Sequence, residues 1–315
     1  MAIDITRPGK TILQIETPVM PAAGTLGFGD VYRDLIQFEK LGAFVTSPVT
    51  YTPWKPAQGT RVVSLAAGAL VHTGLPNPGI SKVMAKHRDS WDAMPMPVIM
   101  HIVATNLEQV RKCASRIDAE GAVDAMELGL SDDMRWEECE QLVTGAVKNT
   151  EKPVLVRLPT IDPFNLAKAA ADAGASALVA CAPPRGSARD PLSGRLVGGR
   201  LYGPLVQPMI LRIVGQLAGE IKDVPIIGSG GIHSQQDARD FIDAGAKAVQ
   251  VDSVTWVNPK LIEYIARDLG GMVLTRQTGA LGDEWHPGFG ETERKAREEA
   301  KKKTDEDSKK TPTGR

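Results

Sequence analysis

A short apolar run at residues 225–227 leads into a glycine-rich turn, 228–231, and the turn is followed by Ser234 and Asp237. Glycines let a tight turn direct its backbone N–H groups outward. Ser234 and Asp237 have the spacing of a capping box, which predicts a helix beginning directly after the turn. A glycine turn before a helix N-terminus favours an anion, and phosphate above all. The alternative interpretation is a tight strand-to-helix turn with no ligand.

Other residues that could take part in binding or catalysis lie at the ends of predicted strands. Arg157 closes an apolar strand at 153–157, and a buried guanidinium needs a partner because an unpaired buried charge is very costly. That partner is either an electron-rich cofactor ring or Glu127, which lies on the neighbouring predicted strand. Ala22, Ala23 and Gly24 end the first barrel strand. Their small side chains suit either a flat ring lying on the backbone or plain packing.

The elements that would position these residues alternate between strand and helix from about residue 15 to about residue 270. Eight strands, each followed by a helix, predict an α/β (β/α)8 TIM barrel. Residues 11–15 predict one strand of a short N-terminal β-hairpin below the barrel. An open doubly wound sheet is the alternative, but it would carry its anion-binding turn after the first strand rather than the seventh.

Several local expectations accompany this fold. Asp30 is expected to cap a helix that runs to about Lys40, and Thr105 to open another helix through a capping box. Residues 47–78 and 181–203 are rich in glycine and other turn-forming residues, and are expected to be long loops. Long loops in compact domains are usually functional or disordered.

Composition limits the class of protein. The 315 residues are 42% hydrophobic and 24% charged, with a formal net charge of −1, which gives no electrostatic case for nucleic acid. No apolar run approaches the ~20 residues of a membrane span, and residues 1–7 lack a signal-peptide core. The three cysteines have no metal or disulfide spacing. A cytoplasmic protein is expected.

Two regions are predicted along the chain. Residues 1–270 form the barrel domain, and residues 271–315 form a charged, partly disordered C-terminal extension. Residues 292–310 are nearly all charged or alanine, without an apolar face. They indicate a solvated or frayed helix, either a solubilising tail or a partner-binding segment.

Six stretches of this chain resemble the dihydroorotate dehydrogenase family of flavin mononucleotide (FMN) barrels. They occur in order and at family-like spacing: 18–27 (PVMPAAGTLG), 41–46 (LGAFVT), 74–79 (GLPNPG), 125–128 (AMEL), 203–204 (GP) and 225–251. The resemblance implies a (β/α)8 barrel with FMN over the carboxyl ends of its strands. The FMN phosphate would lie on the backbone of Gly230, Gly231 and Ser253. The positions matching the family's cofactor contacts are Ala22, Ala23, Gly24, Ser47, Arg157, Gly203, Gly230, Gly231, Asp252 and Ser253.

Departures from the family pattern concentrate in the site. Ser47 and Arg157 stand where the family has lysines, and Asp252 stands where it has a glycine at the phosphate. The family's catalytic Cys or Ser base aligns with Asp132, and Ser131 is its neighbour. Residues that replace the substrate-binding asparagines are Val71, Gly129 and Pro183.

Three hypotheses about function follow. The first is an FMN-dependent oxidoreductase acting on a small molecule other than dihydroorotate, with Asp132 or Ser131 as proton acceptor. The second is a catalytically degenerate barrel that serves as a subunit or binding module. The third is a metal- or phosphate-dependent lyase on the same scaffold, with Asp132, Asp133 and His101 as candidate ligands. A homodimer, or a place in a redox complex, is the expected assembly.

Overall fold

The computed structural model describes residues 2–9 and 11–278. The strands in these residues are β1 Ile3–Asp4, β2 Gln14–Ile15, β3 Val19–Pro21, β4 Phe44–Val45, β5 Val62–Leu65, β6 Gly68–Val71, β7 Val98–Val103, β8 Ala125–Gly129, β9 Val154–Leu158, β10 Ala177–Ala180, β11 Arg185–Arg189, β12 Leu196–Tyr202, β13 Ile226–Ser229 and β14 Ala248–Val251. The α-helices are α1 Ile80–Asp92, α2 Leu107–Asp118, α3 Trp136–Val147, α4 Pro163–Asp172, α5 Gln207–Glu220, α6 Gln235–Asp243, α7 Val254–Val257 and α8 Leu261–Thr278. Two 3-10 turns span Phe38–Lys40 and Pro204–Val206.

Eight parallel strands form the central sheet in the order β3-β14-β13-β10-β9-β8-β7-β4. The sheet closes between β3 and β4, where the backbone N–H of Gly42 donates to the Val19 carbonyl at 2.8 Å. Any side chain on residue 42 would collide with the Thr17 carbonyl oxygen. This closed, parallel arrangement confirms the predicted (β/α)8 barrel.

The barrel core is built from apolar strands that are buried on both faces, as β9 shows along its whole length. At the amino ends of the strands, β1 and β2 pair antiparallel. Ile5 and Leu13, beside these strands, and Ile15 at the end of β2 pack with Met20 and Ile99 of the barrel. The predicted N-terminal hairpin is therefore confirmed.

The predicted capping box at Ser234 is confirmed. Its hydroxyl accepts from the Asp237 N–H at 3.0 Å, while the Asp237 carboxylate accepts from the His233 N–H at 2.9 Å. The other predicted box is shifted by one residue, because Asn106 rather than Thr105 caps α2 and accepts from the Gln109 N–H at 3.0 Å. An asparagine side chain reaches this donor as well as a threonine does.

The helix predicted from Asp30 to Lys40 is wrong. Residues 22–37 run through turns, and only Phe38–Lys40 is helical, as a 3-10 turn. Gly27 and Gly29 take positive φ angles of 64° and 91°, which bend the chain away from a helix before Asp30. Tertiary hydrogen bonds then fix the segment, including one from the Trp91 indole N–H to the Phe28 carbonyl at 2.8 Å.

The two segments predicted as long loops contribute a second sheet, so that prediction is wrong in part. Strands β11, β12, β6 and β5 form an antiparallel four-stranded sheet in that order. Its pairing joins residues far apart in sequence, such as Arg200 with Val71. Strand β11 consists of arginine, serine and small residues, and the other three strands carry their apolar residues side by side rather than in alternation, so the period-2 signal of a strand is weak.

Contacts along the chain separate a first unit, Met1–Gly271, from a second, Met272–Arg315. Of the extension predicted for residues 271–315, residues 271–278 belong to α8, and residues 279–315, with the predicted solvated helix at 292–310, lie outside the described residues. Within the described part of the chain, no helix is both long and apolar enough to cross a membrane.

Candidate active site

Buried polar residues collect at the carboxyl ends of the barrel strands, around Arg157 at the end of β9. The guanidinium donates from Nη1 to Gln250 Oε1 at 2.8 Å and from Nη2 to Ser229 Oγ at 2.9 Å. Nη1 also lies 3.6 Å from Glu127 Oε1, so the expected ion pair with Glu127 is present. Arg157 is thus bonded across the barrel interior, and its expected contact with a cofactor ring stays a prediction.

Glu127 is fully buried and is surrounded by donors. Its Oε1 lies 2.7 Å from His101 Nδ1, and its Oε2 accepts from Gln250 Nε2 at 2.5 Å. Burial alone would raise the pKa of Glu127, but the imidazole, the Arg157 guanidinium and the Gln250 amide together hold that pKa below its ordinary value. The carboxylate is therefore ionised and can only accept hydrogen bonds. Nδ1 of His101 must then carry the hydrogen that it donates to Glu127.

His101 presents its other ring nitrogen toward residue 129. A Cβ built on Gly129 would lie 2.5 Å from His101 Nε2. No described residue forms a hydrogen bond with Nε2. The imidazole thus occupies the volume that a side chain at 129 would need, and its orientation is fixed from behind by Glu127. A carboxylate-oriented imidazole with a free Nε2 is suited to accept a proton.

Asp132, the predicted base, is bonded to two arginines of the second sheet. Arg200 contacts both of its carboxylate oxygens, at 2.7 and 2.6 Å, and Arg185 Nε donates to Oδ2 at 2.7 Å. The side chain of Asp132 is buried, whereas Arg185 is largely exposed. Ser131 donates to the exposed Asp133 carboxylate, which lowers the pKa of Asp133. The catalytic roles of Asp132 and Ser131 stay predictions.

Gly230 and Gly231 follow β13 with φ angles of 129° and 71°, which L side chains rarely adopt. A Cβ on Gly231 would also lie 2.6 Å from the backbone nitrogen of Gln207, where α5 begins. Within the described residues, no oxygen accepts from the N–H of Gly230 or Gly231. Two unpartnered amides beside a helix N-terminus fit an anion.

The neighbouring strand end does not fit a phosphate. Asp252 is 1% exposed, and its Oδ1 accepts from the Ser253 N–H at 2.6 Å and from the Ser253 hydroxyl at 3.1 Å. His233 Nε2 lies 3.0 Å from the same hydroxyl. The amide that the resemblance assigned to the FMN phosphate is therefore occupied by the carboxylate of the preceding residue.

The remaining predicted cofactor contacts lie at the same end of the barrel. Ala22 is buried beside β14, with its N–H on the Val251 carbonyl at 2.8 Å, whereas Ala23 is half-buried and Gly24 is exposed. Ser47 is half-buried and donates its N–H to Gly27. The requirement for glycine at position 203 is explained by packing, because a Cβ there would collide with Ala67 and Gly68 in the β5–β6 turn.

Some residues of the site were not predicted. Gln250 and Ser229 lie within strands that read as apolar, and their polarity inside a buried strand was the available signal. Arg200 carried no local signal, since its partner Asp132 is 68 residues away. Burial raises the pKa of Cys113, Cys139 and Cys181 to about 12, so these thiols are not nucleophiles at neutral pH.

The metal-ligand set of the third hypothesis is not assembled. Among the described residues, no group of three or more His, Cys, Asp and Glu side chains could hold a metal ion. Asp132 is instead bonded to arginines, and His101 to Glu127.

Comparisons with known proteins agree with the barrel fold. A family model described as dihydroorotate dehydrogenase matches residues 11–273. A protein of Citrifermentans bemidjiense named dihydroorotate dehydrogenase B (NAD(+)), catalytic subunit, is 33% identical over 277 residues, covering 82% of this chain and 89% of the relative. Proteins of the same name from Pelobacter propionicus and Thermoanaerobacter pseudethanolicus are each 34% identical. They cover 84% and 78% of this chain, and 93% and 86% of their own lengths.

Proposed function

Since this chain belongs to the dihydroorotate dehydrogenase family, we propose that it is a flavin-dependent oxidoreductase whose substrate is a small molecule other than dihydroorotate. The FMN that the resemblance implied is part of this proposal. A bound flavin would supply the hydride acceptor, and the residues of the chain would bind the substrate and take up its proton.

The observation that carries the proposal is the His101 ring over Gly129. The resemblance implies that an asparagine at this position helps to hold the pyrimidine, and here an imidazole fills the space instead. The other two replaced positions also lack an amide: Val71 is aliphatic, and Pro183 contributes only its carbonyl, which accepts from Arg200 at 2.9 Å. A pyrimidine would leave polar edges unpaired, at a cost of about 1–3 kcal/mol for each group.

The same contacts favour His101 over Asp132 as the proton acceptor. Both oxygens of Asp132 already accept hydrogen bonds from arginines, so protonating it would break an ion pair. Nε2 of His101 has no described partner, and the ionised Glu127 behind Nδ1 would stabilise the imidazolium that forms. Asp132 would then serve to fix the β11–β12 hairpin at the site.

The test is anaerobic reduction of the flavin-loaded protein, followed by visible absorbance. We expect dihydroorotate to leave the flavin band unchanged, while dithionite bleaches it and so shows that the flavin is reducible. Rapid bleaching by dihydroorotate would overturn the substrate proposal and show that the missing amides are not needed.

A degenerate barrel acting as a subunit is the second candidate, and the Asp252 carboxylate on the Ser253 amide favours it. A protein that stays colourless after incubation with excess flavin would support this candidate against the first. The relatives are named as catalytic subunits, and we propose that this chain likewise works with a partner chain. Co-purification from the native source, followed by measurement of the mass of the complex, tests that assembly under either candidate.

A further inference from the structure

A single buried amide links the two charged residues at the centre of the site. Gln250, on β14, is fully buried, and its side chain crosses the barrel interior to β8, which lies four places away in the eight-stranded sheet. Its Nε2 donates to Glu127 Oε2 at 2.5 Å, and its Oε1 accepts from Arg157 Nη1 at 2.8 Å. Gln250 thus contacts the negative and the positive side chain at once.

The orientation of this amide is fixed by its two neighbours. Glu127 is ionised, because the donors around it hold its pKa below the ordinary value, so it can only accept hydrogen bonds. Arg157 can only donate. A flipped amide would turn its NH2 group toward the guanidinium and its oxygen toward the carboxylate, and both bonds would be lost. An apolar side chain in its place would leave both charged groups without that bond.

The amide also keeps the two charges apart. Arg157 Nη1 lies 3.6 Å from Glu127 Oε1, too far for a hydrogen bond, and donates to Gln250 instead. The same oxygen, Oε1, lies 2.7 Å from His101 Nδ1. A guanidinium and a carboxylate favour a direct, two-pronged contact at about 2.7–2.9 Å. Such a contact would turn the carboxylate toward Arg157 and take Oε1 away from the imidazole.

The position of the hydrogen on His101 decides which ring nitrogen can act as a base. A neutral imidazole carries one hydrogen, and the nitrogen without it is the acceptor. While Glu127 accepts from Nδ1, the hydrogen stays there, and Nε2, which has no hydrogen-bond partner among the described residues, is the acceptor. If Glu127 turned to Arg157, the hydrogen could move to Nε2, and the proposed base would become a donor.

We propose that Gln250 is a positioning residue, which holds Arg157 away from Glu127 and so keeps the hydrogen of His101 on Nδ1 and leaves Nε2 open to a proton. The role rests on the proposed function only because that function makes Nε2 the proton acceptor. The tautomer of His101 is itself a property of the chain without any cofactor, and it can be measured there.

The test is nitrogen NMR of the imidazole rings in the full-length protein without flavin, at about pH 8.5, above the range in which histidines titrate. The protein has five histidines, and the signals of His101 are those missing from His101→Gln. We expect the native ring to prefer the hydrogen on Nδ1 by at least about tenfold, because the bond to Glu127 is charge-assisted. Gln250→Met, which is similar in length but lacks both polar groups, should lower that preference by about tenfold or more.

Two further variants separate positioning from packing. Gln250→Glu should keep the hydrogen on Nδ1, because its carboxyl group still binds Arg157 and shares one proton with Glu127. Ser229→Ala removes a different bond of Arg157, the one from Nη2 at 2.9 Å, and should also leave the tautomer unchanged. Loss of the Nδ1 preference in either variant would overturn the inference, since the tautomer would then respond to any change around Arg157.

The remaining outcomes are equally decisive. A native tautomer preserved in Gln250→Met would show that the amide only fills space. A hydrogen on Nε2 of the native protein, from the other tautomer or from a protonated ring, would overturn the inference without any variant having to fold. Either result leaves flavin dependence and the choice of substrate standing, because anaerobic bleaching tests those separately. A protein that binds no flavin but shows the expected tautomers would contradict the proposed function alone.

Discussion

The Nε2 atom of His101 lies 2.5 Å from the point where a Cβ on residue 129 would stand, so the two positions share one volume. Gly129→Asn should therefore destabilise the protein by about 1–3 kcal/mol, as overpacked core sites do. In the His101→Ala background the same substitution should cost much less, because the shared volume is then empty. Urea unfolding of the two single variants and the double variant measures the coupling. Additive losses would show that the ring moves aside freely.

Glu127 and Arg157 give the second prediction. Glu127→Gln removes the carboxylate from a buried guanidinium and should cost about 3 kcal/mol of unfolding free energy. Arg157→Met alone should cost a similar amount, since it leaves Glu127 buried without the neighbouring positive charge. The double variant should be more stable than the sum of the two losses predicts, because no buried charge of that pair is left uncompensated. A double variant that loses the full sum would show that the pair is not coupled.

Asp132 is expected to fix the β11–β12 hairpin to the barrel through Arg185 and Arg200. Asp132→Asn should therefore speed limited proteolysis within residues 185–202, and lower stability by about 1–2 kcal/mol. Asp133→Asn is the matched control, since that neighbouring carboxylate is exposed and forms no hydrogen bond or ion pair with either arginine. Equal cleavage rates in the two variants would argue against the fixing role.

His87 predicts sensitivity to acid. It is 5% exposed and stacks on Phe28 and Trp91, with ring centroids 4.9 and 5.7 Å away. Burial lowers its pKa below the ordinary 6.5, despite the opposing effect of Asp30, so the folded protein binds less proton than the unfolded chain. The stability from neutral His87 is complete above pH 6.5 and is lost as the pH falls toward the lowered pKa.

His87→Phe should flatten the decline of the thermal midpoint between about pH 7 and about pH 5, the range in which histidines titrate. A remaining slope is expected from His233, whose pKa is also lowered by burial. His72→Gln serves as control, because His72 is exposed. An unchanged slope in His87→Phe would exclude His87 as its source.

Local chemistry explains which features could be predicted from the sequence. The barrel strands are short apolar runs. The turn at Gly230 and Gly231 and the cap at Ser234 each depend on residues within ten positions of one another. All of these features could therefore be predicted from the sequence. The charge of Arg157 within an apolar strand also indicated a buried partner. Glu127, on the neighbouring strand, is such a partner.

Features that depend on distant residues could not be predicted in the same way. The hydrogen bonds of Asp132 reach across 53 and 68 residues to the second sheet, whose strands lack hydrophobic alternation. The direction of the Asp252 carboxylate was likewise left open by its position beside the glycine turn. A rotation of one side chain decides whether it bonds Ser253 or faces away, and residue type alone does not fix that rotation.

The pairing of β3 with β14 has a consequence for how the protein is made. Strand β3 leaves the ribosome before the other seven barrel strands, yet its ladder partner is β14, the last of them, with Val19 opposite Val249. The first strand must therefore wait unpaired on that edge until nearly the whole barrel has been synthesised, and long-range pairing of this kind is slow. Ala22, at the end of β3, gains its hydrogen bond to the Val251 carbonyl of β14 only at that last step. A flavin could not contact the ends of both strands while the chain is still being synthesised. Cofactor binding would therefore follow translation and would not assist folding on the ribosome.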